Sequence, residues 1–516
     1  MNARNSITPQ GEKLANMQLE NHWNNIDWKK AEKHVNRLQV RITEAVKNGL
    51  WHLVKRLQYL LTHSYFAKLL AIRKTTQNKG KRTAGIDGVT WSSPEAKIRA
   101  ALSLTDKNYV AEPLKRVFIE KHGTKKKRPL GIPTMYDRSM QSLYALALEP
   151  IAEINGDRTS FGFRKFRSTH DACEYAFQYL CRKDSPEWVL EGDIKGCFDN
   201  ISHQWLLDNI PMDKSILKQF LKAGYVFERH LFPTDAGTPQ GGIVSPILAN
   251  FALDGIEKIL SDKYPKNKKD RNRVAKYKVN FVRYADDFIV TAKTEEIAKE
   301  VKELIKDFLK DRGLELSEEK TLITHIDMGF DFLGWNFRKY KGKLLIKPSM
   351  KSIDKLTENI SNTINKGKAW KQGELIDALN PSIRGWTNYH RTVVSSEIFN
   401  KLDHIIWNML WHWAIRRHPD KPKHWIADKY WHSDGNRNWI FSEGTKQLNL
   451  LSDTKIVRHI KLKLDMNPYL DNGYFVLRKV RLRVMKLTDT AKKTLDKAKN
   501  ICKHKTETMT NNCCPI

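Results

Sequence analysis

Asp286 and Asp287 are adjacent carboxylates set between two apolar, β-favouring runs, 279–284 and 288–291. Neighbouring carboxylates repel, so the pair is costly unless a cation neutralises it. A hard divalent ion such as Mg²⁺ wants oxygen ligands and tolerates substrate phosphates in the same shell. The plainer reading of Asp-Asp by itself is a polar turn between strands. A third carboxylate, Asp193, ends another buried-looking run that begins at Trp188. If the two runs are neighbouring strands, Asp193 converges on Asp286 and Asp287. Three carboxylates at one sheet edge would make a two-metal site for in-line displacement on a phosphate.

The elements that must position these groups follow from periodicity. The runs around Asp286-Asp287 read as a β-hairpin with the carboxylates at its tip. From Trp28, Ala31, Val35, Leu38, Ile42 and Ala45 recur at helical steps up to Asn48-Gly49. A second helix from about Trp51 carries Val54, Leu57 and Leu61. Residues 1–22 are polar and expected to be mobile. Arg73-Lys74 through Thr83 reads as a basic loop. Residues 113–133 read as a hairpin, with a Lys-rich turn at 121–127. Helices are expected over 137–149, 206–223, 247–260 and 294–312. From about Ser349 the pattern turns helical, with Ile353, Leu356, Ile360 and Ile364 on one face and Ile398, Leu402, Ile405, Met409 and Trp413 on another. Most tryptophans there are expected in the core.

The chain has 516 residues, with 90 Lys+Arg against 58 Asp+Glu and a net charge of +32. That excess calls for an anionic partner, and nucleic acid fits best. The six cysteines form no disulfide framework, which suggests a reducing compartment. No apolar run is long enough for a membrane helix, and the first residues lack a secretory h-region, so no membrane partner is expected.

Tyr284-Ala285-Asp286-Asp287 after an apolar strand, with Asp193-Ile194-Lys195-Gly196-Cys197-Phe198-Asp199 upstream and Pro239-Gln240-Gly241-Gly242 between them, resembles the palm of a reverse transcriptase. The nearest resemblance is to group II intron-encoded proteins, the reverse transcriptase–maturases. It implies an α+β right-hand polymerase with fingers and palm, an antiparallel sheet plus helices. An all-α thumb or maturase domain and a short basic DNA-binding tail would follow. The implied divisions are 1–92 (helical, RNA-binding), 93–348 (fingers and palm), 349–444 (thumb) and 445–516 (tail). Asp193 and Asp286 would ligate two Mg²⁺, with the Ile194 carbonyl as a further ligand and Asp287 adding charge. Lys126 and Arg128 would hold the triphosphate of an incoming dNTP. Phe198 would be the steric gate against a ribose 2′-hydroxyl, Gln240 would lie near sugar and base, and Lys320 near pyrophosphate.

RNA and template contacts are expected from Arg73, Lys74, Lys81, Arg82, Arg164 and Arg167, and in the thumb from Arg384, Trp386, Tyr389, Arg416 and Arg417. Leu333-Gly334 would grip the primer. Arg458, Arg478, Lys479, Arg481 and Arg483 would bind target DNA. The tail's Cys502, His504, Cys513 and Cys514 do not complete a zinc ligand set, so a working endonuclease is not expected. The resemblance thus implies RNA-directed DNA polymerisation, maturase binding of the intron RNA, and mobility by target-primed reverse transcription. A cytoplasmic site, bacterial or organellar, is expected. The alternatives are an RNA-binding splicing cofactor with a vestigial polymerase, or a host-adapted reverse transcriptase in defence or repair.

Overall fold

The computed structural model describes residues 9–120, 127–265, 276–434 and 437–485. They form two compact units. One comprises the described residues of Met1–Ser168, Trp188–Ile323 and Lys463–Asn472; the other those of Thr169–Glu187, Thr324–Leu462 and Gly473–Ile516.

In the first unit the helix Trp28–Lys47 buries Ala31, Val35, Leu38, Ile42 and Ala45, as its periodicity demands. Asp27 caps it, accepting from the Lys30 N–H at 3.0 Å. The helix Trp51–Thr62 buries Val54, Leu57 and Leu61. The expectation of a mobile start fails for Pro9–Asn24, which is helical. Leu19 and Trp23, one turn apart, pack on the core, and Trp23 meets Trp28 edge-on at 5.1 Å. Two large apolar groups are enough to seat an otherwise polar helix. The basic loop is also shorter than expected. Arg73 and Lys74 lie in the helix Tyr65–Gln77, whose Ala67, Leu69, Ala71 and Ile72 are buried, and only Lys79–Arg82 forms a tight turn.

Strands β1 (Leu114–Glu120) and β2 (Lys127–Ile132) pair antiparallel, with Ile119 opposite Arg128. The other strands are β3 (Trp188–Gly192), β4 (Tyr225–Phe227), β5 (His230–Phe232), β6 (Asn280–Tyr284) and β7 (Asp287–Ala292). One sheet runs β2-β1-β4-β5; in another, β6, β7 and β3 are neighbours in that order. β7 is antiparallel to both neighbours, and its residues after Asp287 are all buried. The helix Glu295–Lys310 buries Ala298, Val301, Ile305 and Leu309 in the same core. The run 247–260 is two helices, Ser245–Leu253 and Ile256–Lys263, because Asp254 is drawn into a buried ion pair and Gly255 takes a φ of 110°.

In the second unit the strands Phe330–Phe332, Trp335–Tyr340 and Lys343–Pro348 form an antiparallel sheet. The helices Met350–Lys366, Gln372–His390, Ser396–Arg417 and Lys423–Tyr430 share a core that includes Ile360, Leu379, Phe399, Leu402 and Leu410. The expected helical domain is there, and it carries in addition a small sheet, Trp431–Asp434, Arg437–Glu443 and Lys446–Gln447. Among the described residues no helix is long and apolar enough to cross a membrane.

Candidate active site

Tyr284 pairs with Asp287, so Ala285-Asp286 is a two-residue hairpin turn. Ala285 takes a φ of 59°, a conformation costly for a residue with a Cβ. Gly192 lies opposite Phe288, which brings Asp193, the next residue, beside the carboxylate turn. The Asp193 carbonyl accepts from the Ser317 N–H at 2.8 Å, and its carboxylate accepts from Lys320 Nζ at 2.8 Å. Burial, then the charge of Asp193, raises the pKa of Asp286, while Arg128 and Lys320 oppose the rise. Asp287 is pushed up to about 6 by burial first, then by Asp286 and Asp193. The hydrogen bond to Asp193 raises Lys320. Three carboxylates and two cations therefore act on one another here.

The turn is held from behind by a group the motif does not advertise. Arg283 is fully buried in β6. Its guanidinium donates to Asp254, to Asn250 Oδ1 at 3.1 Å and to the Ala285 carbonyl at 3.1 Å, inside the turn itself. Asp157 accepts from the Gly255 N–H at 3.0 Å, and its N–H donates to Asp254. Burial first, and then the charge of Asp254, pushes Asp157 up to about 7. The backbone of Thr159–Phe161 pairs with Arg283 alongside the strand. A cation inside an apolar strand, with an Asp at a helix break elsewhere, is the only sequence signal of this cluster.

Two glycines fit the close approach. A Cβ on Gly192 would lie 2.1 Å from the Phe288 ring, and one on Gly162 would lie 2.2 Å from the Ala285 nitrogen. The backbone at Ala285 carries the carboxylates. Gly162→Ala is expected to cut primer extension about a hundredfold through displacement of the turn, with helix content by circular dichroism unchanged. Extension at the wild-type rate would mean that the turn moves without cost.

In the segment 236–242, Gly237 and Gly241 lie against the protein's own backbone. A Cβ on Gly237 would lie 2.5 Å from the Asp199 carbonyl, and one on Gly241 2.5 Å from that of Gly131. Gln240 accepts through its carbonyl from the Gly131 N–H at 2.7 Å, and its side chain donates to Asp199 at 3.0 Å. Phe198, half-buried, meets Phe163 edge-on at 6.0 Å, and its carbonyl accepts from the Thr238 N–H at 2.6 Å. The loop thus ties β2, which carries exposed Arg128, to the turn after Asp193.

Several expected nucleic-acid contacts are engaged internally. Arg164 and Arg167 are buried and share Glu153, at 2.7 and 2.6 Å. Burial would raise Glu153, but the two guanidiniums overcome it and hold its carboxyl low. These arginines brace the 160–168 loop from within, donating also to the Asp157 and Ser160 carbonyls. Arg73 pairs with Glu32 at 3.0 Å and lies 4.5 Å from the Trp28 ring; Lys74 stands 3.6 Å from Glu149. Trp386 donates to Ser352 Oγ at 3.1 Å, and Tyr389 donates to the Leu333 carbonyl at 2.8 Å while stacking on Trp335 at 4.5 Å. Both aromatics are structural, and Tyr389 fixes the turn at Leu333-Gly334, where both residues have positive φ. Arg417 donates to the Lys368 carbonyl at 2.7 Å over Trp413. Arg478 is buried against Asp171 and the Ile460 carbonyl. The Arg164, Arg167 and Arg478 side chains are drawn inward by their acceptors, whereas Lys74 and the Arg73–Glu32 pair stay at the surface. Lys81, Arg82, Arg128, Arg384, Arg416, Arg458, Lys479, Arg481 and Arg483 remain exposed. Lys126 and the tail's Cys502, His504, Cys513 and Cys514 lie outside the described residues. Arg138, which the sequence did not single out, donates to the Gly80, Thr83 and Pro133 carbonyls and so anchors the basic turn.

Among the described residues no three His, Cys, Asp or Glu side chains stand together closely enough to hold a metal ion. The expected three-carboxylate cluster is therefore not a preformed cage, and Lys320 occupies one Asp193 oxygen. The donor chemistry still suits a hard divalent ion: all three carboxylates offer oxygen, and burial together with mutual charge already raises Asp286 and Asp287.

A hairpin carrying two carboxylates, with a third on the adjacent strand, belongs to a nucleic-acid polymerase palm. The family model for "Reverse transcriptase (RNA-dependent DNA polymerase)" matches residues 119–337, that for the "N-terminal domain of reverse transcriptase" 23–104, and that for the "Group II intron, maturase-specific domain" 353–431. Group II intron-encoded protein LtrA of Lactococcus lactis subsp. cremoris is 30% identical over 462 residues, 72% of this chain and 75% of that protein. Protein YkfC of Escherichia coli (strain K12) is 33% identical over 319 residues, 54% of this chain and 82% of that one. The chain belongs to the group II intron-encoded proteins, and it is an RNA-directed DNA polymerase and intron maturase. Its family uses divalent metal ions, and its substrates are nucleic acids, intron RNA among them.

Proposed function

We propose that Asp193, Asp286 and Asp287 form the metal-binding centre of polymerisation and hold two Mg²⁺. Asp193 and Asp286 are the direct ligands, the Ile194 carbonyl is a further one, and Asp287 supplies charge. The observation that carries this reading is the β3–β7–β6 register, which sets Asp193 against the Ala285-Asp286 turn. When bound, the ions would lower the pKa of the primer 3′-hydroxyl and neutralise the departing pyrophosphate. Arg128 and Lys320, both felt by Asp286, orient the triphosphate of a dNTP. Gln240 lies near its sugar and base. Phe198 excludes a ribose 2′-hydroxyl, so Phe198→Ala should raise ribonucleotide incorporation about tenfold or more, since steric discrimination is lost with the ring. Unchanged selectivity in competitive extension would assign Phe198 to packing alone.

The maturase activity uses exposed cations to grasp the protein's own intron RNA: Lys81 and Arg82 in the N-terminal part, Arg384 and Arg416 in the thumb. Leu333-Gly334 grips the primer, and Arg458, Lys479, Arg481 and Arg483 hold target DNA for target-primed reverse transcription. The divisions 1–92, 93–348, 349–444 and 445–516, and a cytoplasmic or organellar location, belong to the same reading. Free Cys173, Cys181 and Cys197 support a reducing compartment.

The two activities should separate. Asp193→Asn should lose extension and keep splicing. Arg384→Glu with Arg416→Glu should weaken intron RNA binding and splicing and lower the salt slope by about 1.4, for two lost single-strand phosphate contacts. Extension on a preannealed primer–template at saturating protein should suffer less. Parallel splicing and extension assays decide it: if Asp193→Asn stays folded yet loses splicing as completely as extension, the palm is itself part of the RNA-binding surface.

A further inference from the structure

Phe163 combines an exposed ring with a costly backbone. The residue is 51% exposed, and its φ of 60° lies in the left-handed region. A bulky residue there is strained, and such strain persists only where the surrounding structure imposes it. Here the chain is fixed on both sides. The Phe161 N–H donates to the Arg283 carbonyl at 2.9 Å, and the Gly162 carbonyl accepts from Asn250 Nδ2 at 3.0 Å. Arg164 is clamped on Glu153 by two donors, at 2.9 and 2.7 Å. Burial of so exposed a ring is too slight to offset the strain, so the bracket has to be explained by where it puts the ring. It puts it edge-on to Phe198, with centroids 6.0 Å apart and planes at 79°, a favoured geometry for an aromatic pair.

We infer that Phe163 is a positioning residue for sugar selection: it holds the Phe198 ring where that ring excludes a ribose 2′-hydroxyl. The backbone of Phe198 is already fixed, since its carbonyl accepts from the Thr238 N–H at 2.6 Å and Gly237 packs against it. The freedom left is rotation of the side chain. Part of the ring lies on the core, and among the described residues Phe163 is the one aromatic that meets it. A gate discriminates by position, and a displacement of about 1 Å in an active site changes rates by orders of magnitude. The same loop sets Gly162 against the Ala285 nitrogen, so one braced segment references the gate to the carboxylate turn. The inference rests on the reading of Phe198 as the gate and adds what keeps that gate in place.

The test is single-nucleotide extension by the full-length protein on a preannealed RNA template and DNA primer, with kcat/KM measured for a deoxynucleotide and for the matching ribonucleotide. Phe163→Ala is expected to raise the relative use of the ribonucleotide about threefold to tenfold, the range of a lost edge-to-face aromatic contact. The effect should arise as a gain in kcat/KM with the ribonucleotide. Phe163→Tyr, which keeps the ring, should retain wild-type selectivity. Phe163→Gly should be as unselective as Phe163→Ala and melt no lower, because glycine takes a φ of 60° without strain. Adding Phe163→Ala to Phe198→Ala should change selectivity no further, since the ring it positions is gone. Additive losses in that double variant overturn the inference. So does an equal loss of rate with both nucleotides in Phe163→Ala, which would assign the ring to the template strand. Wild-type selectivity in Phe163→Ala beside an unselective Phe198→Ala overturns the inference and leaves the gate reading standing. Wild-type selectivity in both removes the gate reading as well.

Discussion

Asp286→Asn is expected to lower primer extension on an RNA template by roughly a thousandfold, with RNA binding nearly intact. A neutral amide cannot replace a carboxylate that shares divalent cations with triphosphate oxygens. A second readout separates this from damage to the fold. Burial and the charge of Asp193 raise the pKa of Asp286, so its ionised form is a cost to the folded protein without metal. Removing that charge should leave the thermal midpoint in metal-free buffer unchanged or slightly higher. Near-normal extension in Mg²⁺ would contradict the assignment of the hairpin. Lost extension accompanied by a lower midpoint would show that the carboxylate is structural.

Arg283→Met should be the most destabilising single change in the palm. It removes the cation that donates to Asp254, and Asp157 lies against that carboxylate in the same buried cluster. Removing one partner of a buried ion pair typically costs about 3–5 kcal/mol. Extension should fall even where the protein stays folded, because the bond to the Ala285 carbonyl that shapes the turn is lost. The pH dependence gives the sign. Asp157 is raised to about 7 in the folded state, so its protonated form favours folding and that contribution fades as pH rises from about 4 through 7. With Arg283 gone, both carboxylates should rise further, and the variant should lose more stability than wild type between pH 6 and pH 8. Melting curves at the two values check it. A pH-independent difference would mean that the carboxylates are already neutral beside Arg283.

The sequence by itself determined the strands that lead to Asp193 and to Asp286-Asp287, the order of its motifs and the long amphipathic helices. Adjacent Asp residues between apolar strands have few structural uses, and the spacing of Ala31 to Ala45 or of Ile353 to Ile364 admits one buried face. Its charge, too, announced a nucleic-acid partner. What only the tertiary structure decided was the fate of individual cations. Arg164, Arg167, Arg283, Arg417 and Arg478 look no different in sequence from Arg82, Arg384 or Arg416. The first five are held by a carboxylate or carbonyl acceptor from elsewhere in the chain, Glu153, Asp254, Lys368 and Asp171 among them, and the last three stay exposed. Charge is a property of a residue, but the acceptor that claims it is a property of the fold. The same holds for Trp386 and Tyr389, whose polar tips found Ser352 and Leu333, and for Trp431, whose N–H found no partner among the described residues.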